Sequence, residues 1–220
     1  MIFTDDFMHS AESSLPDLEI LFEDLAHPNP YIQSQSCLAM AKYWPNESLP
    51  RLLNLLDQEN VALRRSAVRA LGCFGISVLI PIAQKFDESE DGTVRASCIK
   101  AYAQVASNSP PGLVFPLKAM AILESALIDK SAVVSLAAVM ALGQVGFQSL
   151  DLLLNVAVGE NPALAVAAVN ALAEIDDGRV EECFAKLLEN QSTDSYVSST
   201  VTSASERARG LRSGKKNLST

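Results

Sequence analysis

The sequence predicts an all-α fold, an α-solenoid of about five helix pairs with a degenerate C-terminal cap. Three observations lead there. First, the phrase AVMALGQVG at 138–146 returns as AVRALGCFG at 67–75 and AVNALAEID at 168–176, with weaker copies SCIKAYAQVA at 97–106 and SCLAMAKY at 36–43. Second, the alanine anchoring each copy stands at Ala39, Ala70, Ala101, Ala141 and Ala171, spacings of 31, 31, 40 and 30 residues. A period near thirty is one supersecondary unit per copy, and such a unit cannot bury its apolar face without a neighbour. Third, the chain is 49% hydrophobic but only 6% aromatic. Ala, Leu and Val supply the difference, a mix that suits close-packed helices better than a sheet.

The elements follow in chain order. Residues 1–14 read as a flexible acidic arm: positions 1–41 hold seven carboxylates and no Lys or Arg. SLPDLEILFEDLAHP then opens a solenoid predicted over 15–190. In the second unit, LPRLLNLLDQENVALRRSAVRALGCFG, Leu52, Leu53, Leu55 and Leu56 give one apolar helix face, with Pro50 expected in the first turn. DQEN breaks the pattern, and a second helix carries Leu63, Ala67, Val68 and Leu71, with Gly75 placed to end it. The 40-residue spacing holds an insertion, SNSPPGLVFPLK, with Phe115; it is either a binding loop or a longer turn. The fifth unit repeats the plan as LDLLLNVAV, GENP and ALAVAAVNALAEI. GRVEECFAKLLE at 178–189 begins a sixth unit, but its partner has lost most apolar residues. Residues 191–220 are therefore expected to be a frayed cap and a disordered basic tail.

The anchor column is all alanine. Three positions earlier stand Ser36, Ala67, Cys98, Ala138 and Ala168, and beside them Cys37, Val68, Ile99, Val139 and Val169. Two small columns let neighbouring second helices approach closely, while the third fills the space beside them.

A net charge of −9 argues against non-specific nucleic-acid binding, which needs a broad basic surface. The N-terminal segment has no basic region leading into an apolar run, so no signal peptide is expected. The apolar runs around 132–143 and 162–175 are short and interrupted for a bilayer span. Four cysteines without metal-site spacing read as free thiols, and the expected location is the cytoplasm. There is no phosphate-cradling loop, no CxxC and no paired His on a helix turn, so no metal site or nucleophilic triad is predicted.

The phrases LRRSAVRALG and VRASCIKAYA resemble the short repeats of the HEAT-repeat phycobilin lyases, with chromophore lyase subunits of the CpcE and CpcF type and bilin-detaching NblB-type proteins. The resemblance covers about residues 18–190 and implies a HEAT/armadillo-like solenoid. The arginine typical of the family's second helix is present at Arg64 and Arg95, but Gln33, Ser135 and Ala165 stand at the matching positions. The resemblance also implies a phycobilin as transient ligand with no permanently bound cofactor. It implies a phycobiliprotein subunit as partner, together with a second HEAT-repeat lyase subunit.

The register suggests where a site would lie. Positions one before and three after each anchor share a helix face and read Leu38/Lys42, Arg69/Cys73, Lys100/Gln104, Met140/Gln144 and Asn170/Glu174, with Arg65 one turn before Arg69. If the second helices line the concave face, Lys42, Arg65, Arg69 and Lys100 form a basic stripe suited to carboxylates. The competing reading is a solvated face paired internally with Asp57 or Glu88. Cys73 is the thiol expected at the surface, where Arg69 would lower its pKa. Trp44 either stacks on a flat ligand or plugs the N-terminal edge. Two functions follow: a bilin lyase-like protein assisting chromophore attachment, detachment or transfer, and a non-catalytic adaptor, for example for an iron–sulfur carrier.

Overall fold

Each second helix begins at a polar cap ten residues before its anchor alanine. Asn29, Asn60, Asp91 and Asn161 accept hydrogen bonds from backbone N–H groups one or two positions into the helix. Such a cap contributes about 1 kcal/mol. Ser131 holds the same place in the fourth unit without a side-chain cap bond.

The computed structural model describes residues 15–217, with side chains described through Arg209. The helices run α1 (Leu18–Asp24), α2 (Pro30–Tyr43), α3 (Pro45–Leu55), α4 (Val61–Gly72), α5 (Leu79–Glu88), α6 (Gly92–Asn108), α7 (Leu117–Leu127), α8 (Ala132–Val145), α9 (Leu150–Ala157), α10 (Pro162–Leu172), α11 (Gly178–Glu189) and α12 (Ser195–Asn217). Pairs stack in order, and the second helices α2, α4, α6, α8, α10 and α12 contact one another along the array. This is the predicted all-α HEAT/armadillo-like solenoid. The expected acidic arm, residues 1–14, lies outside the described residues.

The small columns are where the stacking happens. Ala70, Ala101 and Ala141 are fully buried, as are Ala67, Cys98, Ala138 and Ala168. The glycine two residues after the anchor is part of the same contact. A Cβ built on Gly72 would lie 2.6 Å from Gln104 Cβ and 3.1 Å from the Gln104 backbone, and one on Gly143 would lie 3.0 Å from Ala171 Cβ. Gly75 and Gly146 serve a different purpose: each follows its second helix at positive φ, 67° and 75°, and starts the short 3-10 turn into α5 or α9.

Two expectations change, and a third segment, left open between a binding loop and a longer turn, is placed. Pro50 lies inside α3, because Pro45 already starts that helix one turn earlier. The C-terminal stretch expected to be frayed and disordered is, over Ser195–Asn217, the helix α12, the partner of α11; residues 218–220 lie outside the described residues. Val201 and Ala204 take the two column positions, both fully buried, and Val197 and Ala208 extend the face. Asp194 supplies the cap ten residues before Ala204, and Arg207 donates to Asn170 Oδ1 at 2.7 Å. Serine and threonine fill most of the remaining positions of 195–205, which hides so short an apolar stripe. Finally, Phe115 of the insertion is buried, and Gln148 clamps its backbone N–H at 2.8 Å and its carbonyl at 2.9 Å. The aromatic ring is a core plug, not a presented side chain.

The run Ala132–Ala157 is long and apolar enough by composition to cross a membrane. It is divided at Gly146, and its halves, α8 and α9, fold back on each other within the core.

Gly72→Ala tests the close approach. Alanine is the better helix former by about 1 kcal/mol, but the added methyl meets a neighbouring backbone and overpacks the interface. A net loss of about 1–2 kcal/mol is expected in thermal or urea unfolding. Gly178→Ala, where a Cβ meets nothing within 4 Å, should leave stability unchanged or slightly raised.

Candidate functional site

Side chains of unequal size on three successive second helices open a groove along the array. The middle helix, α6, supplies a low floor: Gly92, Thr93, Ala96, Ser97 and Ala103. On one side α4 raises a wall of Arg64, Arg65 and Arg69, with Val61 and Val68. On the other, α8 raises Val133, Ala137 and Met140. Lys100 and Gln104 stand along the floor. The cavity is about 690 Å³, within the range that holds drug-sized ligands.

Its electrostatics are one-sided. Arg65 and Lys100 are exposed and have no carboxylate partner among the described residues. Asp57, the expected internal partner, pairs with Lys85 instead. Asp91 is the acid at the groove. Its carboxylate is spoken for by the N–H groups of Thr93 and Val94, which hold it below the usual aspartate range. Arg69 donates to Gln33 Oε1 at 2.7 Å and to Ser66 Oγ at 3.0 Å, which fixes its guanidinium at the groove's edge.

Five of the nine candidate residues therefore converge: Arg65, Arg69, Lys100, Gln104 and Met140. Four do not line the groove. Trp44 is half-buried at the N-terminal edge, and its indole N–H donates to Pro16 O at 2.8 Å, so it plugs the end of the array. Lys42 lies 4.8 Å over the Tyr43 ring. Gln144 is exposed beyond the lining, and Cys73 is half-buried behind it, its Sγ 3.9 Å from Arg69 O. The stripe reasoning missed the wall of Val61, Arg64 and Val133, because the groove opens over the first turns of these helices, ahead of the stripe. Among the described residues no group of three or more His, Cys, Asp or Glu side chains converges to hold a metal.

The repeat arginines hold the walls in place. Arg64 donates to Gln58 O, and Arg95 donates to Ser89 O, the carbonyl six residues back in each case. Gln33, standing where the arginine is missing, makes the same bond to His27 O. Arg95 also forms a two-point pair with Asp129 of the next unit, at 2.9 and 3.1 Å, with Arg95 buried and Asp129 largely shielded from solvent. Ser135 and Ala165 have no reach for this clamp.

Comparison with known proteins agrees with this architecture. Residues 18–103 match a family model for HEAT repeats. The chain is 37% identical over 203 residues to an uncharacterized phycocyanin operon protein Z of Pseudanabaena tenuis, covering 91% of this chain and 99% of that protein. It is 38% identical over 182 residues to the bilin biosynthesis protein CpeZ of a Synechococcus strain, covering 80% and 97%. The X-ray structure of the Escherichia coli protein YibA superimposes with a TM-score of 0.52 at 18% identity, covering 89% of this chain and 74% of that one, a likeness of fold alone.

Breaking the Arg95–Asp129 pair should loosen the groove floor from its wall. Arg95→Met leaves Asp129 unpaired in a buried setting, with an expected loss of about 3 kcal/mol in denaturant unfolding at neutral pH. Burial would raise the Asp129 carboxyl, but Arg95 and the Ser131 N–H outweigh it and the net shift is downward. A depressed carboxylate stabilises the fold above its unfolded value, about 3.9, and that contribution disappears as pH falls through the lower folded value. The gap between wild type and variant should therefore be full at neutral pH and narrow below about pH 4.

Proposed function

The chain belongs to the HEAT-repeat, phycobilin lyase-like family that contains CpeZ and the phycocyanin operon protein Z, and from that premise we propose that it holds an open-chain tetrapyrrole during chromophore attachment, detachment or transfer. The observation carrying this reading is the groove's division into a cationic wall and an apolar wall over a floor of small residues. A bilin has the complementary division. Two propionates project from adjacent inner rings, and the remaining edge carries methyl, vinyl or ethyl groups. Arg65, Arg69 and Lys100 receive the carboxylates, and Val133, Ala137 and Met140 pack the apolar rim.

The chain's own contribution is positional. Arginine paired two-point with a propionate fixes the edge of the pigment, and the small residues of α6 let the flat ring system lie close to the backbone. The described residues offer no acid–base constellation at the groove, and a protein that orients a pigment toward a cysteine of its acceptor needs none. The acceptor in this reading is a phycobiliprotein subunit, with a second HEAT-repeat subunit completing the complex. A binding-only adaptor that uses the same basic wall for an acidic protein segment is the alternative.

Titration of the purified protein with phycocyanobilin, followed by visible absorption and induced circular dichroism, separates the two. A red-shifted band with induced dichroism at near-stoichiometric pigment is expected. Lys100→Glu or Arg65→Glu, which break no bond within the protein, should weaken binding about tenfold or more, the scale of one charged hydrogen bond. A flat titration of folded protein would set the pigment reading aside in favour of the adaptor.

A further inference from the structure

The repeat leaves one of its arginine places empty, and a cavity stands there. In the second and third units an arginine six residues before the anchor fastens the turn between paired helices. Arg64 donates to Gln58 O and Glu59 O, and Arg95 donates to Ser89 O and to Asp129 of the following unit. In the fourth unit Ser135 has no such reach, but that turn is already held by the Arg95–Asp129 pair from the preceding unit. The fifth unit has neither. Ala165, buried, occupies the arginine position, and between it and the sixth unit lies a cavity of about 360 Å³. That is far above the share of about 30 Å³ that a water molecule takes in the liquid.

The cavity is lined by the positions that the clamp uses elsewhere. Counted from the anchor alanines, Gly159 matches Gln58 and Ser89, and Glu160 matches Glu59. Across the cavity, Ser192 matches Asp129, and Asp194 matches Asp91. Among the described residues nothing donates to the carbonyl of Gly159 or of Glu160. Beside Ser192, the Thr193 hydroxyl is buried without a hydrogen-bond partner among the described residues, a rare state for a buried polar group. Two carboxylates, Glu160 and Asp194, line the cavity against one base, the exposed Lys186.

We propose that this cavity receives the guanidinium of an arginine from a partner protein, which completes in trans the clamp that the fifth unit lacks. A guanidinium is a planar fork with N–H groups on more than one edge. It can bond Gly159 O before α10 and the hydroxyls of Ser192 and Thr193 before α12 together, whereas a lysine ammonium is a compact point charge without that span. The chain's own arginines are engaged elsewhere. Arg51, Arg69, Arg95, Arg179 and Arg207 each bond another residue, Arg65 lines the pigment groove, and residues 1–41 contain no arginine. The cavity lies at the N-terminal ends of α10 and α12, on the edge of the array over which the groove opens on α4, α6 and α8. A protein seated along that edge meets both, and the arginine site does not depend on what the groove holds.

The test is an NMR titration of the ¹⁵N-labelled full-length protein with the peptide acetyl-Gly-Arg-Gly-amide, and in parallel with the same peptide carrying lysine. Saturable shifts centred on the amides of Gly159, Glu160, Ser192 and Thr193 are expected in the millimolar range. The lysine peptide should bind about fivefold more weakly, the loss of one net hydrogen bond. Ala165→Arg should abolish the shifts and unfold at no lower denaturant than wild type, because its own side chain closes the clamp. Thr193→Val removes an unpartnered hydroxyl and keeps the shape, so it should fold as wild type does and bind the arginine peptide several-fold more weakly. Equal binding of the two peptides, shifts centred on another surface, no saturable response, or an undiminished response in Thr193→Val would overturn the proposal.

Discussion

Everything else in this protein depends on how closely one second helix can lie against the next. Ala70, Ala101 and Ala141, fully buried, make that approach possible, and Gly72 lies so near Gln104 that no side chain fits between them. In a solenoid each unit is stabilised mainly by its neighbours. A contact of this kind therefore sets stability, the rotation from unit to unit and the spacing of the side chains that line the groove. The groove is a consequence: with the backbones held at close separation, side-chain size alone decides where a cavity opens. Small residues on α6 between taller ones on α4 and α8 open it there.

Much of this was legible in the sequence, for a definite reason. Packing columns repeat with the unit, so five copies of one phrase reveal them, and the register of the concave stripe follows by counting along a helix. Arg65, Arg69, Lys100, Gln104 and Met140 were placed on one face by that counting and do share one cavity. The caps at Asn29, Asn60, Asp91 and Asn161 repeat just as strictly, ten residues before each anchor, and were available to the same reading.

What escaped was whatever does not repeat. For Trp44 the sequence allows two roles, of which plugging the open end of the array is the one its geometry takes; what escaped is the anchor, Pro16 O, which its indole N–H reaches and which no internal unit has. Phe115 sits in an insertion of Pro and Gly whose composition looks like a surface loop, yet Gln148, 33 residues on, fastens it inward. In α12 the column residues Val201 and Ala204 are diluted among serines and threonines, and the capping register at Asp194 is the clearer sign of the sixth unit. Function is less legible still. A cationic wall opposite an apolar one is a property of which unit carries which exception, such as arginine on α4 and valine on α8, and not of the repeat.

The central claim is that the α4–α6–α8 groove receives an open-chain tetrapyrrole by its carboxylates and its apolar rim. The most direct measurement is a crystal structure of the protein with phycocyanobilin. The account predicts pigment lying over Ala96 and Ala103, propionates against Arg65, Arg69 and Lys100, and the opposite rim against Val133 and Met140. Ordered pigment seated elsewhere on the solenoid, with this groove empty, would contradict it.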